Sequence, residues 1–218
     1  MIAVLVLGPP ASGKSTAVRT LVDGSPDVAH FKVREHCARL LAAGDPVAVA
    51  HREQLHRRDV LPDTVVRYAF CDFLRAHPAA RAVLVEGYPR SVAQLADLRD
   101  ALAPHGGRMA GAVVFDAPDA VLRARRARRV ACPECDHSGV RGRDVSCPRC
   151  GGDLVGRPDD EPARFEARVE QFRTAGTQVT RLLAASDCVT VDAGQAPHAL
   201  ARTLRRTVER FGHPVGPR

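Results

Sequence analysis

The chain has 218 residues, 45% hydrophobic and 26% charged, which fits one globular domain and excludes a disordered chain. No apolar run approaches the roughly 20 residues that span a bilayer, and the apolar start lacks the basic n-region of a signal peptide, so a cytoplasmic monomer is the expectation. Net charge is +7, with Lys14 and Lys32 the only lysines among 32 basic residues, while aromatics are 4% and Trp is absent. Few stacking platforms for single-stranded nucleic acid turn that charge toward an anionic small ligand.

Residues 2–7 form a near-continuous apolar run, as in a strand buried on both faces. Helix 13–22 follows. A weaker strand at 28–33 precedes helices 33–43, 46–59 and 62–76. Strand 82–86, helix 91–103, strand 112–116 and helix 118–130 come next. After a gap, helix 161–184, strand 188–192 and helix 197–211 complete the pattern, with 213–218 a frayed tail. Alternation of this kind predicts a parallel α/β sheet with helices on both faces.

Between the first strand and helix lies Gly8-Pro-Pro-Ala11-Ser12-Gly13-Lys14-Ser15-Thr16, which matches G-x-x-x-x-G-K-[ST] at each fixed position. Its glycines let the backbone turn its N–H groups toward an anion, and the helix N-terminus adds partial positive charge. Lys14 would reach the β/γ-phosphates of ATP, and the Ser15 hydroxyl would face Mg²⁺.

The gap, 131–157, is dense in Gly, Pro, Cys and Asp and is too long for an unsupported loop. Cys132-Pro-Glu-Cys135 and Cys147-Pro-Arg-Cys150, eleven residues apart, have the spacing of a closed tetrahedral Zn²⁺ site, which would be structural. Asp136 and His137 read as loop residues rather than ligands. Cys37, Cys71 and Cys188 sit alone in apolar stretches and read as core filler. A zinc ribbon on a basic chain also suits nucleic acid, so the cysteines alone do not fix a function.

The phosphate loop, a Glu86-Gly87-Tyr-Pro-Arg90 element after a mid-chain strand, and a late cysteine insert followed by Arg157-Pro-Asp-Asp together resemble the adenylate kinase family over nearly the whole chain. The resemblance implies a P-loop NTPase-type α/β fold with a five-stranded parallel sheet in the order 2-3-1-4-5. It implies one domain, 1–218, carrying a helical monophosphate-binding insert at 28–61 and a zinc lid at 131–157. The implied reaction is transfer of the terminal phosphoryl of Mg·ATP to a nucleoside monophosphate, AMP first among them.

Residue by residue, the resemblance makes Arg90 the clamp on the acceptor phosphate, with Gly87 beside it, and Glu86 the organiser of Mg²⁺ together with Ser15. Arg157 and Arg168 would flank the transferring phosphoryl. In the run 122–130, five arginines in seven positions, Arg128 best matches an ATP-facing arginine and Arg125 is a second candidate. Gln195 matches a loop whose backbone touches the ATP adenine. Gln94 falls where the family reads the acceptor base, but Ser91 and Gln94 also form a capping box, and both roles stay open. Val60 and Leu61 resemble the segment around the base pocket. The family's usual S-T-G-[DE] is replaced by Phe31-Lys32-Val33-Arg34, so Arg34, or else Arg39, would supply the acceptor contact, with Arg34 favoured by its place at the helix start. The alternatives are a kinase for another monophosphate or a non-nucleotide acceptor, or a non-catalytic ATP- or nucleic-acid-binding zinc protein.

Overall fold

The computed structural model describes residues 1–184 and 187–212, with backbone alone for 175–177. The predicted tail at 213–218 lies outside the described residues. Strands β1 (Ile2–Leu7), β2 (Val28–Lys32), β3 (Ala82–Glu86), β4 (Arg108–Asp116) and β7 (Cys188–Asp192) form a parallel sheet in the order β2-β3-β1-β4-β7. This is the P-loop NTPase-like order the motifs imply, β7 being the fifth strand of that sheet. Each neighbouring pair is parallel. β1 and β3 are buried along their whole length, which is why their sequences run apolar without alternation.

Helices cover both faces. On one side α2 (Val33–Ala42), α5 (Asp63–Ala76) and α6 (Val92–Leu102) enclose a core around Phe31, Phe70, Phe73 and Tyr88. Phe31 meets Phe70 and Phe73 edge-on at 5.0 and 5.2 Å between ring centres, the arrangement aromatic quadrupoles favour. On the other side α1 (Lys14–Val22), α7 (Asp119–Arg128), α8 (Pro162–Gln171) and α10 (Pro197–Arg210) pack a second core that includes Leu21, Phe115, Phe165 and Leu204. Cys37 is buried, and Cys71 and Cys188 pack against the first core.

Several predicted elements are corrected. The helix expected over 46–59 is two, α3 (Pro46–Ala50) and α4 (Arg52–Arg57), broken at His51, whose N–H bonds three residues back to Ala48 and whose ring bonds the carbonyl of Val47. α4 ends where Arg58 turns left-handed at φ 58°. The predicted helix 118–130 stops at Arg128, and Arg129–Ala131 becomes strand β5, paired antiparallel with β6 (Ser138–Val140). Segment 131–157, read as lacking periodicity, therefore holds a small ladder, extended by a bridge between Ala131 and Val155. The helix expected over 161–184 is interrupted by a π-turn at Phe172–Gly176 before α9 (Thr177–Arg181).

The carboxyl ends of β1, β2 and β3 converge at the point where successive connections diverge to opposite sides of β1, where open α/β sheets place ligands. No helix among the described residues is long and apolar enough to cross a membrane.

Candidate active site

A cleft of about 1250 Å³ opens over these strand ends. Its floor is the loop after β1. Gly8 has φ +149°, and a Cβ there would lie 2.5 Å from the Phe115 carbonyl oxygen, so the tight passage admits only glycine. Gly13 precedes α1 in the left-handed region and leaves the first N–H groups of the helix without a side-chain cap. Lys14 folds back and donates from Nζ to the carbonyls of Gly8 (2.8 Å) and Pro9 (2.7 Å) and to Ser12 Oγ (3.1 Å). Burial lowers Lys14 to about 7, with Arg129, Arg168 and Arg157 adding to the shift and Glu86 opposing it. Ala11, Ser15 and Thr16 line the same floor, while Ser12 is buried beneath it.

Ser15 Oγ donates to Glu86 Oε1 at 2.6 Å, and His30 Nε2 lies 3.0 Å from Glu86 Oε2. Burial alone would raise this carboxyl. The His30 hydrogen bond and the nearby His30, Lys32 and Lys14 charges outweigh it, and Glu86 sits at about 2, ionised. A hydroxyl and an ionised carboxylate side by side, next to an anion-binding loop, are hard oxygen donors that fit Mg²⁺.

Arg34 and Arg90 line the same cleft as the loop. Arg34 Nη2 donates to the carbonyls of Arg58 (2.8 Å) and Asp59 (2.6 Å), whereas its buried Nη1 has no hydrogen-bond partner. Arg90 donates from Nε to the Gly87 carbonyl (3.0 Å) and keeps the rest of its fork toward the cleft. Gly87 and Val60 line this side too. Arg39 lies elsewhere, bonded to Asp72 at 3.0 Å and to His36. Leu61 is core. The Gln94 backbone N–H donates to Ser91 Oγ (3.1 Å), and its side-chain amide is used at both ends: Oε1 accepts from the Arg90 backbone (2.7 Å) and Nε2 donates to Asp63 (2.6 Å). Half of the predicted capping box is present: Ser91 caps the Gln94 N–H, while the Gln94 side chain takes the backbone N–H of Arg90 rather than that of Ser91.

Arg128, Arg157 and Arg168 line the remaining wall. Asp159, 3% exposed, joins two of them to Arg58: it pairs with Arg168 (2.6 Å), Arg58 (2.8 Å) and Arg157 (3.4 Å). Burial pushes Asp159 up, but these arginines hold it at about 2. Burial, reinforced by neighbouring arginines, lowers Arg34, Arg157 and Arg168 to about 10, which leaves all three charged at neutral pH. Arg129 grips the Asp160 carboxylate and Arg126 its carbonyl. Arg125 turns to the loop carbonyls of Ser12 and Ala193 and to that of Gln195, whose side chain is exposed and off the cleft.

The sulfurs of Cys132, Cys135, Cys147 and Cys150 lie within 4.8 Å of one another. Neighbouring pairs are 3.4, 3.5 and 3.7 Å apart. Four thiolates about 2.3 Å from a tetrahedral Zn²⁺ would stand about 3.8 Å from each other, so the cluster has the right size and donor set.

Sequence reasoning missed Lys32, Arg58 and Asp136. Asp136, just after Cys135, is 3% exposed and ion-paired with Lys32 (2.7 Å) and Arg58 (2.7 Å). The scarcity of lysine was a signal for Lys32, but no local pattern marks the other two.

A family model described as an AAA domain matches residues 7–137. Curated relatives align over most of the chain. An adenylate kinase of Pyrococcus furiosus is 30% identical over 174 residues, 76% of each chain. One from Thermotoga petrophila is 30% identical over 79% of this chain and 81% of its own. One from Gemmatimonas aurantiaca is 28% identical over 78% and 80%. A phosphate loop facing an arginine wall on this sheet, in a chain aligned with those proteins over more than three quarters of its length, belongs to the adenylate kinase family and makes the protein a nucleoside monophosphate kinase.

Proposed function

We propose that the enzyme catalyses ATP + AMP = 2 ADP with Mg·ATP as donor. The observation that carries this reading is that one cleft is lined by the Lys14 loop and by two further sets of arginines, Arg34 with Arg90 and Arg157 with Arg168. A donor needs the first and an acceptor phosphate the second. A module that only bound ATP would need no second anion seat.

In this reading Gly8, Ala11, Ser12, Gly13, Lys14, Ser15 and Thr16 hold the ATP phosphates. Arg128 covers them, and the backbone at Gln195 borders the adenine. Arg34 and Arg90 clamp the acceptor phosphate, Arg90 as a bidentate fork. Gly87, Val60 and Leu61 shape the acceptor pocket. Gln94 reads the base only by exchanging Asp63 for it, and otherwise fixes the Arg90 backbone. An oxygen of the acceptor phosphate attacks the γ-phosphorus in line, that bond forms as the bond to the β-bridging oxygen breaks, and ADP departs on both sides. No protein nucleophile takes part. Arg157, Arg168 and Lys14 stabilise charge spread over the transferring group, and closure over the cleft keeps water out.

Ser15 and Glu86 would hold Mg²⁺, which would supply positive charge against the donor phosphates. The four cysteines would hold Zn²⁺, crosslinking a 131–157 lid too small for a core of its own, with 28–61 as the acceptor insert of a single 1–218 domain.

The test is ADP formation from Mg·ATP with AMP, GMP, CMP, UMP and dTMP offered separately. Turnover with AMP alone supports the reading. Turnover with another monophosphate reassigns the acceptor pocket. No turnover with any of them overturns it.

A further inference from the structure

Segment 131–157 and segment 28–61 meet through a buried ion network. Arg157 enters it through Asp159, whereas Asp136 is the residue of the cysteine segment that meets the insert directly. Its N–H bonds the Cys132 carbonyl at 3.0 Å and its φ is 56°, so the first cysteine turn fixes where its carboxylate goes. One oxygen lies 2.7 Å from Lys32 Nζ at the end of β2, and the other lies 2.7 Å from Arg58 Nη1. Lys32 also donates to the Asp136 carbonyl, at 3.1 Å. Arg149 pairs with Glu35 on the flank of the same interface.

Arg58 passes this contact onward. Its guanidinium is taken by Asp136 and Asp159, while its carbonyl, with that of Asp59, receives Arg34 Nη2. Thus a carboxylate of the cysteine segment is joined through one arginine to the side chain that faces the acceptor. Asp136 leaves the acceptor-facing groups alone: the buried Arg34 Nη1 has no hydrogen-bond partner, and Arg90 lines the cleft. It therefore does not stand in for an acceptor phosphate.

We propose that Asp136 is a positioning residue that ties the acceptor insert to the lid, so that donor binding, by bringing the lid down, also orders 28–61 and sets Arg34 for its phosphate. The proposal rests on the two-site reading above. Exposed Lys–Asp pairs contribute little. This one is buried, and removing one partner would leave Lys32 and Arg58 charged and poorly solvated in the closed arrangement. Closure of both segments together depends on it.

Hydrogen exchange of the full-length zinc-loaded protein tests this with the β,γ-imido analogue of Mg·ATP as the sole ligand. In the wild type the analogue is expected to slow exchange about threefold or more in 28–61 as well as in 131–157. In Asp136→Asn, whose side chain tolerates a left-handed turn, slowing is expected to persist in 131–157 and vanish in 28–61. Equal slowing of 28–61 in wild type and variant, or none in the wild type, overturns the proposal. Should Asp136→Asn lose zinc or melt early, Lys32→Gln breaks the pair from outside the lid and must uncouple the segments equally, and retained coupling there overturns the idea. No acceptor is needed, so failure of the AMP assay and failure of this coupling are separate results.

Discussion

Ser15 Oγ, in the first turn of α1, donates a 2.6 Å hydrogen bond to Glu86 Oε1 at the end of β3, 71 positions later. The bond joins the phosphate loop to the neighbouring strand and keeps a carboxylate, held at about 2, beside the loop. Glu86→Gln preserves the shape and removes the charge. We expect kcat to fall about 100-fold, the scale of losing one preorganised charge at a transferring group, and the Mg²⁺ concentration for half-maximal rate to rise. Steady-state rates across a magnesium titration check this, and an unchanged kcat would refute the role.

Among the described residues the Arg90 side chain is held through Nε to the Gly87 carbonyl, which leaves its fork toward the cleft. Arg90→Ala should raise the acceptor KM about 100-fold, as expected for losing a bidentate charged contact. ATP affinity should stay within about twofold, since its loop is a separate part of the cleft lining. Calorimetric titration with ATP beside acceptor kinetics separates the two, and equal loss of both would contradict the assignment.

Asp159 is the carboxylate among Arg58, Arg157 and Arg168, and its pKa falls from 3.8 to about 2 on folding. A depressed acid stabilises the fold at pH above its unfolded value and loses that contribution as pH falls through the folded one. Asp159→Asn should therefore cost about 2–3 kcal/mol at pH 7. The gap from wild type should narrow between pH 4 and pH 2. Urea unfolding of both proteins at several pH values measures it, and a gap independent of pH would argue against the ion pairs as its source.

Removal of the metal from the four-cysteine cluster should unfold 131–157 without unfolding the sheet. Strong chelation is expected to release about one zinc per chain, to lower the Tm and to cut kcat, while ATP still binds the loop. Cys147→Ser should behave like chelated wild type. Metal analysis with a thermal melt decides, and an unchanged melt after complete metal loss would remove zinc from the fold.

What was legible in the sequence follows contact range. The phosphate loop, the buried strands and the paired cysteine turns are local patterns whose residues act within a few positions of one another. Helix 46–59 was misread because its composition continues smoothly through His51, where one ring bond to Val47 and a three-residue backbone bond break it. Gln94 fitted two roles equally on paper, and only the position of Asp63, 31 residues away, shows which bonds its amide makes. Arg34 and Arg39 share a helix, and the sides on which Asp72 and the cleft lie separate them. Asp136 was beyond reach, because its partners are 104 and 78 positions distant and nothing beside it announces them.

Both lysines of this chain open onto the one cleft, and 30 arginines supply all the other basic side chains. Amide-forming acylation modifies lysine amines and spares guanidinium groups, so it has no lysine target away from that cleft. Burial lowers Lys14 to about 7 although its Nζ is held by the loop, whereas Lys32 is ion-paired with Asp136. A single acyl group counted by mass spectrometry, and blocked by ATP, would thus report occupancy of the phosphate loop with no engineered label. The same count means that lysine acetylation of this protein would fall on its cleft.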